Sequence, residues 1–334
     1  MRIKLSYLLA IVLLGTTACS QSPDCFQKDV FCAGFVTDTR GLDDLGINQN
    51  TWTGLEQSLA DGVIDHIAYI ESVNVKDYEK NIAYFVDSGY DVIVTSGIGL
   101  RDATLHSADL YPDSLFVGMN QPEEDAPINF IPVTFPEDQM GFFAGALAVQ
   151  LTRSETVGAV CETSGIDTMW RYCEGFRAGA EYVDNSVKVL IAYRDGGSSS
   201  KLFIDDEWGF ETAQKLIESN VDVIFAVGGE TAVGALRAAD QAGIQSIGAE
   251  RDQRAALGGE GTRVVTSILG RTSFTVQELM RGLRDGKLVD TSEGQIEYVP
   301  FERSVSKEVF QEMEIVLAGL ESGEIETKIP FEKP

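Results

Sequence analysis

Histidine is almost missing from this chain: two in 334 residues, His66 and His106, far apart. There is no CxxC pair, so a zinc site of cysteine and histidine type is poorly supplied and no metal is expected. Neither GxSxG nor HExxH occurs, and general bases are scarce, which argues against an enzyme and against any cofactor. The carboxylate pairs Asp43-Asp44 and Asp205-Asp206 sit in polar stretches, where solvation is the default. Basic residues are half as frequent as acidic ones, 26 against 52, and the formal charge of -26 repels phosphate backbones, so nucleic acid is not an expected partner. Gly228-Gly229-Glu230-Thr231-Ala232-Val233-Gly234 stands where a phosphate loop would, but it lacks the GxxxxGK[ST] lysine and does not fit GxGxxG. No segment approaches the ~20 apolar residues needed to span a bilayer.

What is present reads as globular: 44% hydrophobic and 23% charged residues, at a length that predicts two domains of roughly 100 to 200 residues each. Arg2 and Lys4, the apolar run Leu5 to Leu14 and the small residues Gly15 to Ala18 fit a cleavable export signal over 1–18. Residues 19–32 then form a short polar tether. Cys25, Cys32, Cys161 and Cys173 are an even set, compatible with disulfides outside the cytoplasm. Pairings 25–32 and 161–173 close the shortest loops, although three connectivities exist.

From residue 33, short β-rich runs alternate with amphipathic stretches, predicting an α/β fold of parallel layers. The strands expected are Ala33–Thr37, His66–Glu71, Asp91–Ser96, Leu115–Met119, Ile128–Phe135, Val157–Cys161, Val187–Tyr193, Val221–Val227, Gln245–Ala249 and Arg263–Ile268. Helices lie between them, one running from Glu137 to about Leu151, and a last helix covers 304–322. So many strands fit two repeats better than one sheet, the first over 33–150 and the second from 151 to about 249. Each repeat has a late strand running into a glycine-marked turn, at Gly97 and at Gly228-Gly229. Ligands of open α/β sheets bind outside the carboxyl ends of strands, so these turns are expected to face a common cleft.

Several residues near those turns have both a functional and a structural reading. Asp38 at a strand tip and Asn48 near a helix start present polar groups to a ligand, or satisfy loop and cap groups. Gly229 allows close backbone approach. Phe203, after the polar loop Arg194 to Ser200, and Trp170 at a helix start either stack on a ring in the cleft or cover a lobe's core.

Taken in order, Val36-Thr37-Asp38, Asp44, Asn48-Gln49, Trp52 and Gly54, then Asp91 to Val94 with Gly97 and Asp102, Phe143 to Ala148, Gly175 to Ala180, Val221 to Gly229, Asp252-Gln253 and Thr266-Ser267, resemble the basic membrane protein family of ABC-importer substrate-binding lipoproteins, of purine nucleoside receptor type. The resemblance covers nearly the whole mature chain. It implies a type I periplasmic-binding-protein fold: two doubly wound lobes, 33–150 plus 264–292 and 151–263 plus 293–330, joined by crossing strands and closing on a small polar solute. Ala18-Cys19 resembles a lipoprotein cleavage site, with Thr16 where the pattern prefers Leu, so Cys19 is the expected lipid anchor, holding a monomer on the outer face of the cytoplasmic membrane (periplasm or cell surface). An ABC permease is the implied partner and a nucleoside-like molecule the implied ligand.

Carried over singly, the family's strand-tip Asp is Asp38, its helix-entry Asn is Asn48 and its second-lobe stacking Phe is Phe203. Four positions depart. Ile47 replaces an aromatic clamp, Asn120 a base-reading Asp and Glu250 a ribose-binding Asp, while Gly270 stands where the family has Lys, with Arg271 beside it. These changes argue against a standard nucleoside and leave open a modified or different nucleoside, or another small polar ligand. Two other classes fit less of the pattern: a ligand-sensing surface lipoprotein without transport, and a secreted nucleoside hydrolase.

Overall fold

The structure, a computed structural model, describes residues 23–259, 262–287, 294–301 and 303–334. The export signal and Cys19 lie outside the described residues.

The first lobe is built from β1 (Cys32–Val36), α1 (Ile47–Ala60), β2 (His66–Ile70), α2 (Tyr78–Asp87), β3 (Val92–Ser96), α3 (Arg101–Leu110), β4 (Leu115–Met119) and β5 (Phe130–Val133). Its strands form one parallel sheet in the order β2-β1-β3-β4-β5. β1 and β3 are buried along their whole length, which is why they read as unbroken apolar runs rather than alternating ones.

The chain then crosses through Thr134 to Pro136 into α4 (Glu137–Leu151) and the second lobe: β6 (Thr156–Cys161), α5 (Asp167–Val183), β7 (Lys188–Tyr193), α6 (Asp206–Glu218), β8 (Val223–Val227), α7 (Gly229–Ala242), β9 (Gln245–Ala249), the short α8 (Gln253–Ala256) and β10 (Val264–Gly270). α9 (Thr272–Arg284) returns to pack on α1, where Arg281 pairs with Asp61 at 3.0 Å and Arg284 with Asp65 at 2.6 Å. β11 (Ile296–Tyr298) and α10 (Lys307–Ser322) complete the second lobe. Its sheet runs β11-β10-β9-β8-β6-β7, parallel except for the β10–β11 pair.

Two boundaries differ from those expected. α4 belongs to the second lobe, not the first, because it is apolar around its circumference and needs cover on every side. α5 covers it most closely, with α10 and strands of the second sheet on its other sides: at Gly141 and Gly145 of α4, and at Gly175 and Gly179 of α5, an added Cβ would overlap backbone atoms of the opposing helix. The other difference is β10, which pairs with β9, so the return crossing falls at Arg271 rather than at residue 264. All the expected strands are present, Leu115–Met119 and Gln245–Ala249 with the expected ends and the others with shifted ones; β11, three residues on a sheet edge, was not among them.

Disulfides join Cys25 to Cys32 and Cys161 to Cys173. The latter ties the tip of β6 to α5. Among the described residues, no helix is long and apolar enough to cross a membrane, and no group of three or more His, Cys, Asp or Glu is placed to hold a metal ion.

Candidate ligand-binding site

On the first lobe the site starts where β1 ends. Asp44, almost fully buried, accepts the backbone N–H groups of Gly46 at 2.8 Å, Asn48 at 3.2 Å and Gln49 at 3.1 Å. It thereby satisfies the free donors at the start of α1. The side chain of Asn48 is released from capping. Its Nδ2 donates to Asp38 Oδ1 at 2.8 Å, and its Oδ1 accepts from Ser96 Oγ at 2.6 Å. Asp38 also accepts from the N–H and Nε of Arg40, at 3.0 and 2.9 Å. Gly97, at φ +95°, leaves no room for a Cβ, which would stand 2.9 Å from Asp38 Oδ2. Asp38, Asn48 and Gly97 are thus one cluster, with Ser96 and Arg40 as members that composition did not single out.

The second lobe contributes Glu250 at the tip of β9. Its Oε2 accepts the N–H groups of Gly228 at 3.1 Å and Gly229 at 2.9 Å, at the electropositive start of α7. Gly229 also backs onto Phe203, whose carbonyl would lie 2.6 Å from any added Cβ. Phe203 takes a left-handed conformation, φ +63°. Its N–H donates to Glu162 Oε2 at 3.0 Å, and the fully buried Glu162 also binds Arg194 at 2.9 Å and Thr231 at 2.7 Å.

Where the lobes meet, Asp252 N–H donates to Leu45 O at 3.1 Å. Beside this contact lies a cavity of about 60 Å³ lined by Arg40, Ile47, Asn120, Glu137, Tyr172 and Glu250, among others. A wider cleft of about 670 Å³, reaching Arg101 and Glu123 on one side and Asp167, Arg171 and Phe331 on the other, shares Thr168 with it. Ile47, Asn120, Glu250 and Gly270 line the cavity, and Asp38 and Asn48 connect to it through Arg40. Trp170 and Phe203 line neither space.

Arg40, Glu137 and Tyr172 are additions of the structure. Glu137 reads in sequence only as first-turn charge on α4; the crossing at Pro136 is what brings it here. Desolvation opposes the charge on Arg40, but Asp38, Asp44 and Glu250 from the opposite lobe raise its pKa on balance. Burial, then the carboxylates of Glu137 and Glu250, push the Tyr172 phenol well above its ordinary value. Gly270 also has a local reason. With Gly294 it flanks Phe135 on the crossing segment, and a side chain at either position would overlap that ring. The site therefore offers hydrogen-bonding groups from two lobes around a confined space, an arrangement suited to gripping a small polar molecule.

Known proteins resemble this chain in sequence and in fold. Residues 32–294 match the family model Bmp, described as ABC transporter substrate-binding protein PnrA-like. The CD4+ T-cell-stimulating antigen of Listeria monocytogenes is 27% identical, over 97% of this chain and 95% of its own. The ABC transporter nucleoside-binding protein BmpA of Lactococcus lactis is also 27% identical, over 76% and 75%. An ABC transporter solute-binding protein from Conexibacter woesei superposes with a TM-score of 0.69 at 20% identity, over 90% of this chain and all of that one, which shows the shared two-lobe fold. The chain belongs to the Bmp family of ABC transporter substrate-binding proteins.

Proposed function

We propose that this substrate-binding protein captures a nucleoside-like solute by closure of its two lobes, anchored to the outer face of the membrane through Cys19, and delivers it to an ABC permease. The observation that carries this reading is the cavity at the lobe junction, with Arg40, held by Asp38 and through it linked to Asn48, on one side and Glu250 on the other. The Lactococcus relative, named as nucleoside-binding, supports the ligand class.

Volume supports closure. Small-molecule sites run from roughly 300 to 1,000 Å³, so a cavity of about 60 Å³ is too small to admit a nucleoside until the lobes part, whereas the adjoining 670 Å³ cleft is large enough for entry. A solute that touches both lobes only when they are together shifts the population toward the closed form. The departures at Ile47, Asn120, Glu250 and Gly270 set the preference among nucleosides, because an unmet buried hydrogen bond costs about 1 to 3 kcal/mol.

Titration calorimetry against purine and pyrimidine nucleosides, natural and modified, tests the reading. Binding of at least one, weakened at least tenfold by Asp38→Ala, is the expected result. Silence across the panel removes the ligand class and leaves the family assignment intact.

A further inference from the structure

Beyond α10 the chain runs without helix or strand from Gly323 to Pro334 over the second lobe. It is nonetheless pinned at several points. Ile325 N–H donates to Gly319 O at 2.9 Å, and its side chain covers that glycine. The Thr327 hydroxyl donates to Asp138, Lys333 N–H to Asp167 Oδ1 at 3.0 Å, and Lys333 Nζ to Ser164 Oγ at 2.6 Å. Between these anchors the Arg171 guanidinium lies over the Phe331 ring, 4.8 Å from its centre. All these partners except Gly319 lie in the first turn of α4, the first two turns of α5 or the loop before α5, the end of the lobe that faces the cleft.

Arg171 is 5% exposed and donates to Glu137 at 3.0 Å and to Asp138. Glu137 lines the hinge-side cavity, while Arg171 and Phe331 line the wider cleft. Contacts therefore run without a break from the end segment, through one buried cation, to a carboxylate at the ligand cavity. A buried guanidinium shared by two carboxylates is stabilising only while its geometry is held. An aromatic face supplies that hold on the side where the pair opens to the cleft.

We infer that residues 327–333 are a built-in wall of the ligand cleft and that Phe331, acting through Arg171, is a positioning residue for the Glu137 carboxylate. The inference rests on the reading of the cleft as the solute site, but half of its test does not need a solute. Phe331 is 47% exposed, so its replacement leaves the core intact. In the full chain, Phe331→Ala speeds amide hydrogen exchange in the first turns of α4 and α5, and Phe331→Tyr, which keeps the aromatic face, restores wild-type exchange. For whichever nucleoside of the panel binds the wild type, Phe331→Ala weakens affinity about two- to fivefold, the range of an exposed cation–π contact, and Phe331→Tyr recovers it. Unchanged exchange in Phe331→Ala overturns the inference whatever the affinities. Unchanged affinity for a nucleoside that the wild type binds overturns it too. If the wild type binds no nucleoside, the exchange result alone decides the inference, and the loss falls on the ligand class.

Discussion

Asn48 shows how one side chain can carry two readings in sequence that only its neighbours separate. Near the start of α1, an Asn is ordinarily a cap, and only the position of Asp44 reveals that the capping is done elsewhere. Buried between Asp38 and Ser96, the amide donates to one and accepts from the other, so Asn48→Ala strands polar groups on both neighbours. A loss of about 1 to 3 kcal/mol in urea denaturation is expected, together with loss of ligand binding. Tyr172 gives a pH dependence whose sign follows from its environment. Burial, Glu137 and Glu250 raise its pKa in the folded protein, so its contribution is fully present below the unfolded value of about 10 and is lost as pH rises beyond it, because the unfolded chain releases the proton first. Tyr193, raised by burial and by Glu174, acts in the same direction. Unfolding free energy measured between pH 8 and 11 should therefore fall above pH 10, less steeply in Tyr172→Phe.

At the scale of elements, periodicity located almost every strand, because buried parallel strands are continuous apolar runs bounded by turns. β11 escaped for a physical reason: three residues are too few to show a period, and its pairing to β10 is antiparallel and non-local. α4 was recognisable as a helix, yet its partner was not. Its place against α5 depends on Gly141 and Gly145 meeting Gly175 and Gly179 so that the two backbones touch. Gly141→Ala forces the helices apart. A cost of at least 1 to 3 kcal/mol, the usual range for overpacking, is expected in chemical denaturation. Since Glu137 starts α4 and Arg171 lies in the second turn of α5, the same change should also weaken solute binding.

For the molecule as a whole, Phe135 lies on the crossing from the first lobe to the second, held between Gly270 and Gly294 of the other crossing segments. Under the closure proposed above, this packed segment is the pivot about which the lobes would rotate as rigid bodies. Small-angle scattering should register a smaller radius of gyration on saturation with a bound nucleoside, and Gly270→Ala should blunt that change by displacing the Phe135 ring. The Cys161–Cys173 disulfide acts within the second lobe, closing a loop of sequence separation 12. Its removal by Cys173→Ala should cost about 2 to 4 kcal/mol of stability, read from denaturation of the second lobe.

By itself the order of amino acids determined what is local: the α/β alternation, the glycine turns at the strand tips, and the ordered residues that mark the family. These follow from backbone periods and from the conformations open to each residue type, which act over a few neighbours. Tertiary structure alone decided that α4 and β10 sit in the second lobe, that Arg40, Glu137 and Tyr172 reach the cavity, and that Phe331 and Glu332 of the end segment reach the cleft. Each of these depends on backbones or charges from distant parts of the chain coming into contact, and no local pattern carries that information.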